Sequence, residues 1–240
     1  MKYMAQDNSP TPGVNPGRRP LTTTSFAILG LLSVRPWPAY ELTGQMTRGM
    51  RYTWPRAETR LYQEPKNLVA HGLATASTEM NGRRSRTIYA ITPVGRRALA
   101  RWLGTESAPP QMESEAVLRV TFADAGSKEA LLATLRNLRA HGDALRQQLG
   151  DQAADYLANG GPFPARLHLI ALVGRFLSDY AEVLEGWASW AEDTVADWPV
   201  TGPASAVPLP AEVFDLVLRR ARRPPGRPPD PDTTEPPTGR

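Results

Sequence analysis

The stretch that decides the fold begins with Arg56-Ala-Glu-Thr-Arg-Leu-Tyr-Gln-Glu-Pro-Lys-Asn-Leu-Val-Ala-His-Gly-Leu73. It continues through Ala74 to Met80, Asn81-Gly-Arg-Arg-Ser-Arg86 and Thr87-Ile-Tyr-Ala-Ile91. The first part reads as a helix closed by a glycine cap at His71-Gly72, with Leu61, Leu68 and Val69 on its buried side. The remainder reads as two short strands rich in Thr, Ala, Ile and Tyr, joined by a turn that begins Asn-Gly. Arg83, Arg84 and Arg86 crowd that turn, and along the chain their nearest acid is Glu79. A helix followed by a hairpin with a cationic tip is the layout of a winged helix. In that layout the helix enters a DNA major groove and the tip reaches phosphates or the minor groove beside it. A solvated hairpin with surface arginines has the same composition, so the charge of the whole chain has to be weighed.

The formal charge of +4 conceals an asymmetry. Residues 18–103 hold fourteen Arg and Lys against four acids, a net of +10, whereas residues 104–240 hold thirteen against nineteen, a net of −6. A basic module therefore precedes a mildly acidic one, and only the first suits a polyanion. The chain has 240 residues, enough for one or two domains with a core. No apolar run approaches a membrane span, the segment from Phe26 to Leu32 ending near Arg35. The polar first twenty residues lack a signal-peptide core and read as a flexible arm. The lack of cysteine excludes disulfides and thiolate metal sites and fits a cytoplasmic protein.

Working outward, a helix starts at Thr22 or Thr23 and runs through Phe26-Ala-Ile-Leu-Gly-Leu-Leu32 until Arg35-Pro-Trp-Pro38 breaks it. A second helix fits Ala39 to Arg48, with Tyr40, Leu42 and Met46 as apolar contacts and Gly49 as its stop. Beyond the hairpin, Thr92-Pro93 opens a helix with Val94, Ala98 and Trp102 at steps of four and Leu99 and Leu103 beside them. Residues 105–112, with Pro109-Pro110, form a linker. The second module is all-helical. A short helix covers 114–123, and a longer one capped by Ser127 carries Leu131, Leu135, Leu138, Leu145 and Leu149. Asn159-Gly-Gly-Pro162 is a turn, and the longest helix runs from Pro164 to about Asp197. Along it Leu169, Val173, Phe176, Tyr180, Val183, Trp187 and Trp190 alternate steps of four and three, the seam of helices lying side by side. That seam serves either one subunit or a dimer; we favour the dimer. A short amphipathic helix fits Ala211 to Arg222, and the proline-rich tail reads as disordered.

The first module resembles the PadR family of transcriptional regulators. The residues that carry the resemblance are Thr24-Ser-Phe-Ala-Ile-Leu-Gly-Leu-Leu32, Ala39-Tyr-Glu-Leu42, Leu61-Tyr62 and Leu68-Val-Ala-His-Gly-Leu73. Arg83-Arg84, Tyr89-Ala-Ile-Thr-Pro-Val-Gly95, Leu99 and Trp102-Leu103 complete the set. The resemblance spans residues 21–103; the helical remainder is similar to the longer carboxy-terminal regions of that family. It implies a homodimeric winged-helix repressor or regulator with dimer contacts from the carboxy-terminal helices. Two departures stand out. Pro65 lies inside the recognition helix, where a regular interior would lose about 3 kcal/mol. Ala57 occupies a place where the family often has a hydroxyl cap.

The expected fold is mainly α with a small β-hairpin wing: an amino-terminal winged helix-turn-helix and a carboxy-terminal helical dimerisation domain. The expected segments are an arm at 1–20, the winged helix at 21–104, a linker at 105–112, the helical domain at 113–198 and a proline-rich tail at 199–240. Candidate DNA contacts are Arg56, Thr59, Arg60 and Lys66 on the recognition helix and Arg83, Arg84 and Arg86 on the wing. Tyr62 is either a groove contact or core, and Tyr40 either donates to a phosphate or packs. Trp102, Phe176, Tyr180 and Trp187, with Trp190, are candidates to line an effector pocket for a flat hydrophobic compound; ordinary core is the plainer account of them. His71, His141 and His168 have no metal-ligand spacing, and no nucleophile motif or phosphate loop is present. No metal and no cofactor is expected. The expected partners are a double-stranded DNA operator of two-fold symmetry, a second copy of the chain and a small hydrophobic effector. Two other readings are a winged-helix module that binds another protein, and a hydrophobic-ligand binder that protects no operator.

Overall fold

The computed structural model describes residues 18–55, 58–81, 84–199 and 211–222, without the side chains of residues 48, 58–60, 81 and 84. The chain divides into two compact units between Pro110 and Gln111. The amino-terminal unit contains α1 (Thr23–Val34), β1 (Trp37–Pro38), α2 (Ala39–Gly49), α3 (Glu58–Ala70), β2 (Ala74–Asn81), β3 (Arg84–Ile91) and α4 (Pro93–Leu103). The carboxy-terminal unit contains α5 (Glu115–Thr121), α6 (Lys128–Asn159), α7 (Leu167–Ala196) and α8 (Ala211–Ala221). Single 3₁₀ turns at Ala123–Ala125 and Pro164–Arg166 lead into α6 and α7.

Thr22 starts α1 through a reciprocal cap: its hydroxyl accepts from the Ser25 N–H, and the Ser25 hydroxyl accepts from the Thr22 N–H at 2.9 Å. Ile28, Leu29 and Leu32 then point inward and, with Leu42, Met46, Leu61 and Leu68, make the core of the unit. Gly49 lies inside α2, which closes one residue later at Met50. Pro65 does not break α3. The helix runs continuously through it, and the ring is fully buried, so packing against the core offsets the missing backbone donor. Gly72, at φ +69°, turns the chain from α3 into the hairpin.

The sheet has the order β1-β3-β2, all antiparallel. Its third strand, β1, arises where the sequence suggests only a helix breaker. Trp37 is buried, donates its indole N–H to the Leu31 carbonyl at 2.9 Å and pairs with Tyr89. That contact holds the hairpin to the end of α1. On the other side, the Thr92 N–H and hydroxyl reach the carbonyls of Leu73 and Gly72, and Thr92 caps α4. The approach is close enough that a Cβ at Gly95 would lie 2.1 Å from the Leu73 carbonyl oxygen. On α4 only Ala98 of the expected apolar row is fully buried; Val94 and Leu103 are exposed.

In the carboxy-terminal unit α6 and α7 pack antiparallel. Lys128, at the start of α6, donates to the carbonyls of Ala196 and Trp198 at the end of α7, while Arg146 pairs with Glu185. The seam between them is built from small side chains. Gly142 meets the α7 backbone near Ala181 and Glu185, and α7 turns Leu177, Ala181, Ala188, Ala191 and Val195 inward. Among the described residues no helix is long and apolar enough to cross a membrane.

Candidate nucleic-acid interface

Helix α3 has two sides of opposite character. Leu61, Glu64, Pro65, Asn67 and Leu68 face the core, while Tyr62, Gln63 and Lys66 face solvent. Tyr62 is 48 % exposed, so it is a surface aromatic and not core. Thr59 and Arg60 occupy the first turn of α3, where recognition side chains reach base edges in a docked helix; their side chains, and Arg56 altogether, lie outside the described residues. Tyr40 stands at the start of α2, 59 % exposed, with its hydroxyl donating to Glu41 at 3.0 Å. It does not pack as Leu42 and Met46 do.

The inward side of α3 carries a feature that sequence spacing did not reveal. Glu64, 8 % exposed, accepts from the buried Ser25 hydroxyl at 2.7 Å. A buried carboxylate is costly unless a donor satisfies it, so this contact ties the rotation of α3 to the first turn of α1. The residues lie 39 apart in the chain. Arg51 and Tyr52 were also missed. They precede α3 on the α2–α3 connection, are both exposed, and lie with the guanidinium 4.5 Å from the ring centroid. A basic–aromatic pair next to a recognition helix is the signal that would have found them.

The register of the hairpin corrects the placement of two wing arginines. Asn81 pairs with Arg84, and Arg84 and Arg86 belong to β3. Residues 82 and 83 and the Arg84 side chain lie outside the described set. Arg86 is not remote from acid: Glu79 sits directly across the strand pair, and the two side chains bond at 3.1 Å. At the base of the wing the Arg35 guanidinium lies 3.4 Å over the Trp37 ring and bonds Glu41 at 3.0 Å. The Arg35 hydrogen bond holds the Glu41 carboxyl below its ordinary value against the opposing desolvation, with Tyr40 and the charges of Arg35 and Arg86 assisting.

Residues 28–101 match the family model described as the transcriptional regulator PadR-like family. The amino-terminal unit thus carries a PadR-like domain. A relative described as negative transcriptional regulator PadR, from Bacillus subtilis (strain 168), is 26 % identical over 106 residues, which are 43 % of this chain and 58 % of the relative. The matched region thus spans little more than half of that relative's length. Among solved structures, Bacillus subtilis PadR in complex with operator DNA superposes with a TM-score of 0.63 at 19 % identity, covering 72 % of this chain and 99 % of that one. The same protein in complex with p-coumaric acid gives 0.58 at 19 % identity, covering 72 % and 98 %. At that identity the likeness is one of fold. With the PadR-like domain in place, the PadR winged helix accounts for α1 to α4 and the sheet.

The residues expected at a dimer seam lie on α7, five of them on its exposed side and two partly covered. Phe176 is 63 % and Val183 64 % exposed, and Leu169, Val173 and Trp190 are also exposed. Tyr180 and Trp187 are half-buried, Trp187 against Leu131, Leu135, Ala191 and Val195. Trp102, in the amino-terminal unit, stacks flat on Phe26 with ring centroids 5.1 Å apart. A groove of about 460 Å³ lies between α5 and α6, lined by Leu118, Phe122, Ala123 and Leu131, and none of the four expected effector residues lines it. The Arg19 carbonyl accepts from His71 Nε2 at 2.9 Å, a helix-end contact. No metal-binding group of His, Asp or Glu occurs among the described residues.

Proposed function

We propose that this PadR-type regulator is a cytoplasmic repressor that binds a two-fold DNA operator as a homodimer. The observation that carries the reading is the two-sided α3. Its inner side is locked into the core by Leu61, Glu64 and Leu68, and its outer side offers Tyr62, Gln63 and Lys66 within a module of net charge +10. In this reading Arg56, Thr59 and Arg60 are the contacts to base edges, and Tyr40 with Arg83 and Arg84 of the wing are the contacts to phosphate. Pairing through Leu169, Val173, Phe176, Tyr180, Val183, Trp187 and Trp190 presents the surface twice, and symmetric half-sites then fall about 34–36 Å apart or a multiple of that.

Release of DNA by a flat hydrophobic compound is part of the same proposal. Phe176, Tyr180 and Trp187 supply aromatic faces on α7, and the Bacillus subtilis PadR structure solved with p-coumaric acid gives the class of molecule to try first. The test is selection of bound fragments from random duplex DNA by the purified chain. Enrichment of an inverted repeat supports the proposal; recovery of no sequence, with no duplex retained at low salt, rejects it.

A further inference from the structure

The wing arginines divide into two kinds. We propose that Arg86 is a positioning residue that fastens the wing to the start of α2, and that it is not a phosphate ligand. The proposal rests on the DNA-binding reading above and refines it. Arg86 faces Glu79 across β2 and β3 at 3.1 Å, and its Nε is shut off from water with no acceptor among the described residues. Strand β1 runs antiparallel along the other edge of β3, with Pro38 opposite Ile88, so the first turn of α2 continues alongside the Arg86 stretch. Glu41 stands in that turn, held by Arg35 and by the Tyr40 hydroxyl, each at 3.0 Å. The pull of Arg86 on the Glu41 carboxyl, added to that of Arg35, fits this placement.

The Arg35–Glu41 pair at the end of α1 and start of α2, and the Arg86–Glu79 pair across β3 and β2, thus alternate in sign. Two cations and two anions leave no net charge, and a guanidinium spent in this way displaces no counterion from DNA. Its contribution is mechanical: it fixes the base of a hairpin whose far end carries Arg83 and Arg84.

The experiment compares the full-length chain with R83Q, R86Q, E79Q and E79Q/R86Q, measuring duplex binding by fluorescence anisotropy across a salt series. Amide exchange of β2 and β3 is followed in the same samples. R83Q should flatten the slope of log affinity against log salt by about 0.9 for each phosphate contact removed. R86Q should weaken binding roughly twofold to fivefold with the slope unchanged and speed exchange in β2 and β3, and the double variant should be no weaker than R86Q alone. A slope flattened by R86Q as by R83Q overturns the proposal, and so does unchanged affinity. If the unaltered chain shows no salt-dependent duplex binding, the proposed function falls, and exchange alone then decides on Arg86: acceleration sustains its fastening role and unchanged rates reject it.

Discussion

Replacing Ser25 with alanine tests the coupling between α1 and the recognition helix. The Ser25 side chain is fully buried, donates to Glu64 at 2.7 Å and accepts the Thr22 N–H at 2.9 Å. Losing a hydrogen bond to a charged group costs about 1.5–3 kcal/mol, and losing part of a helix cap adds about 0.5 kcal/mol or more. Alanine returns roughly 0.5 kcal/mol through its helix propensity, and the missing oxygen leaves almost no cavity. The net loss is about 1.5–3 kcal/mol, with each 1.4 kcal/mol corresponding to tenfold in an equilibrium. Hydrogen exchange read by mass spectrometry should therefore show α1 and α3 opening about 10- to 100-fold more often, with α6 and α7 unchanged. Glu64→Gln keeps an acceptor for Ser25 and should lose about 1 kcal/mol or less. A Ser25→Ala change below about 0.5 kcal/mol, or one confined to α1, would refute the reasoning.

Three other outcomes follow from the packing. Gly95→Ala places a Cβ 2.1 Å from the Leu73 carbonyl oxygen, forcing α4 away from β2 at a cost of about 3 kcal/mol or more; an unaltered melting temperature in calorimetry would contradict this close approach. Phe176→Glu with Val183→Glu puts charge on the exposed side of α7 and should yield monomers in sedimentation velocity with helical content intact, whereas persistent dimers would place the subunit contact elsewhere. Glu41, its carboxyl held below the ordinary 4.5, contributes stability that is fully present above pH 4.5 and lost as pH falls through the lowered value. Wild type and Glu41→Gln should accordingly differ at pH 7 and converge in acid, and a gap that widens in acid would reverse the assigned sign.

What the sequence revealed was mostly local. Thr22, Thr92 and Ser127 as caps, and the glycine turns at Gly72 and Gly160, need only neighbours three or four residues away to declare themselves. Strand β1 was hidden because two residues make a strand only through a partner some fifty positions later, and the Ser25–Glu64 contact was hidden for the same reason. The hairpin was visible but its register was not, so Arg86 looked unopposed until Glu79 proved to lie across from it. The bulky stripe on α7 drew attention to one side of the helix. Apart from Trp187, the intramolecular seam uses the other, where Ala181, Ala188 and Ala191 let the backbone of α6 come close at Gly142. Tyr62 followed the opposite course. An aromatic beside Leu61 suggests core, but Leu61, Pro65 and Leu68 already fill the inward side of α3 and leave Tyr62 to solvent.

The salt dependence of duplex binding by the unaltered chain tests the account most directly. A two-copy complex that engages Arg83, Arg84 and the helix cations Arg56, Arg60 and Lys66 neutralises about six to ten phosphates. The slope of log affinity against log salt should then fall at about −5 to −9. A slope near zero, or no binding to duplex at low salt, would contradict the claim that this basic module is built to read DNA.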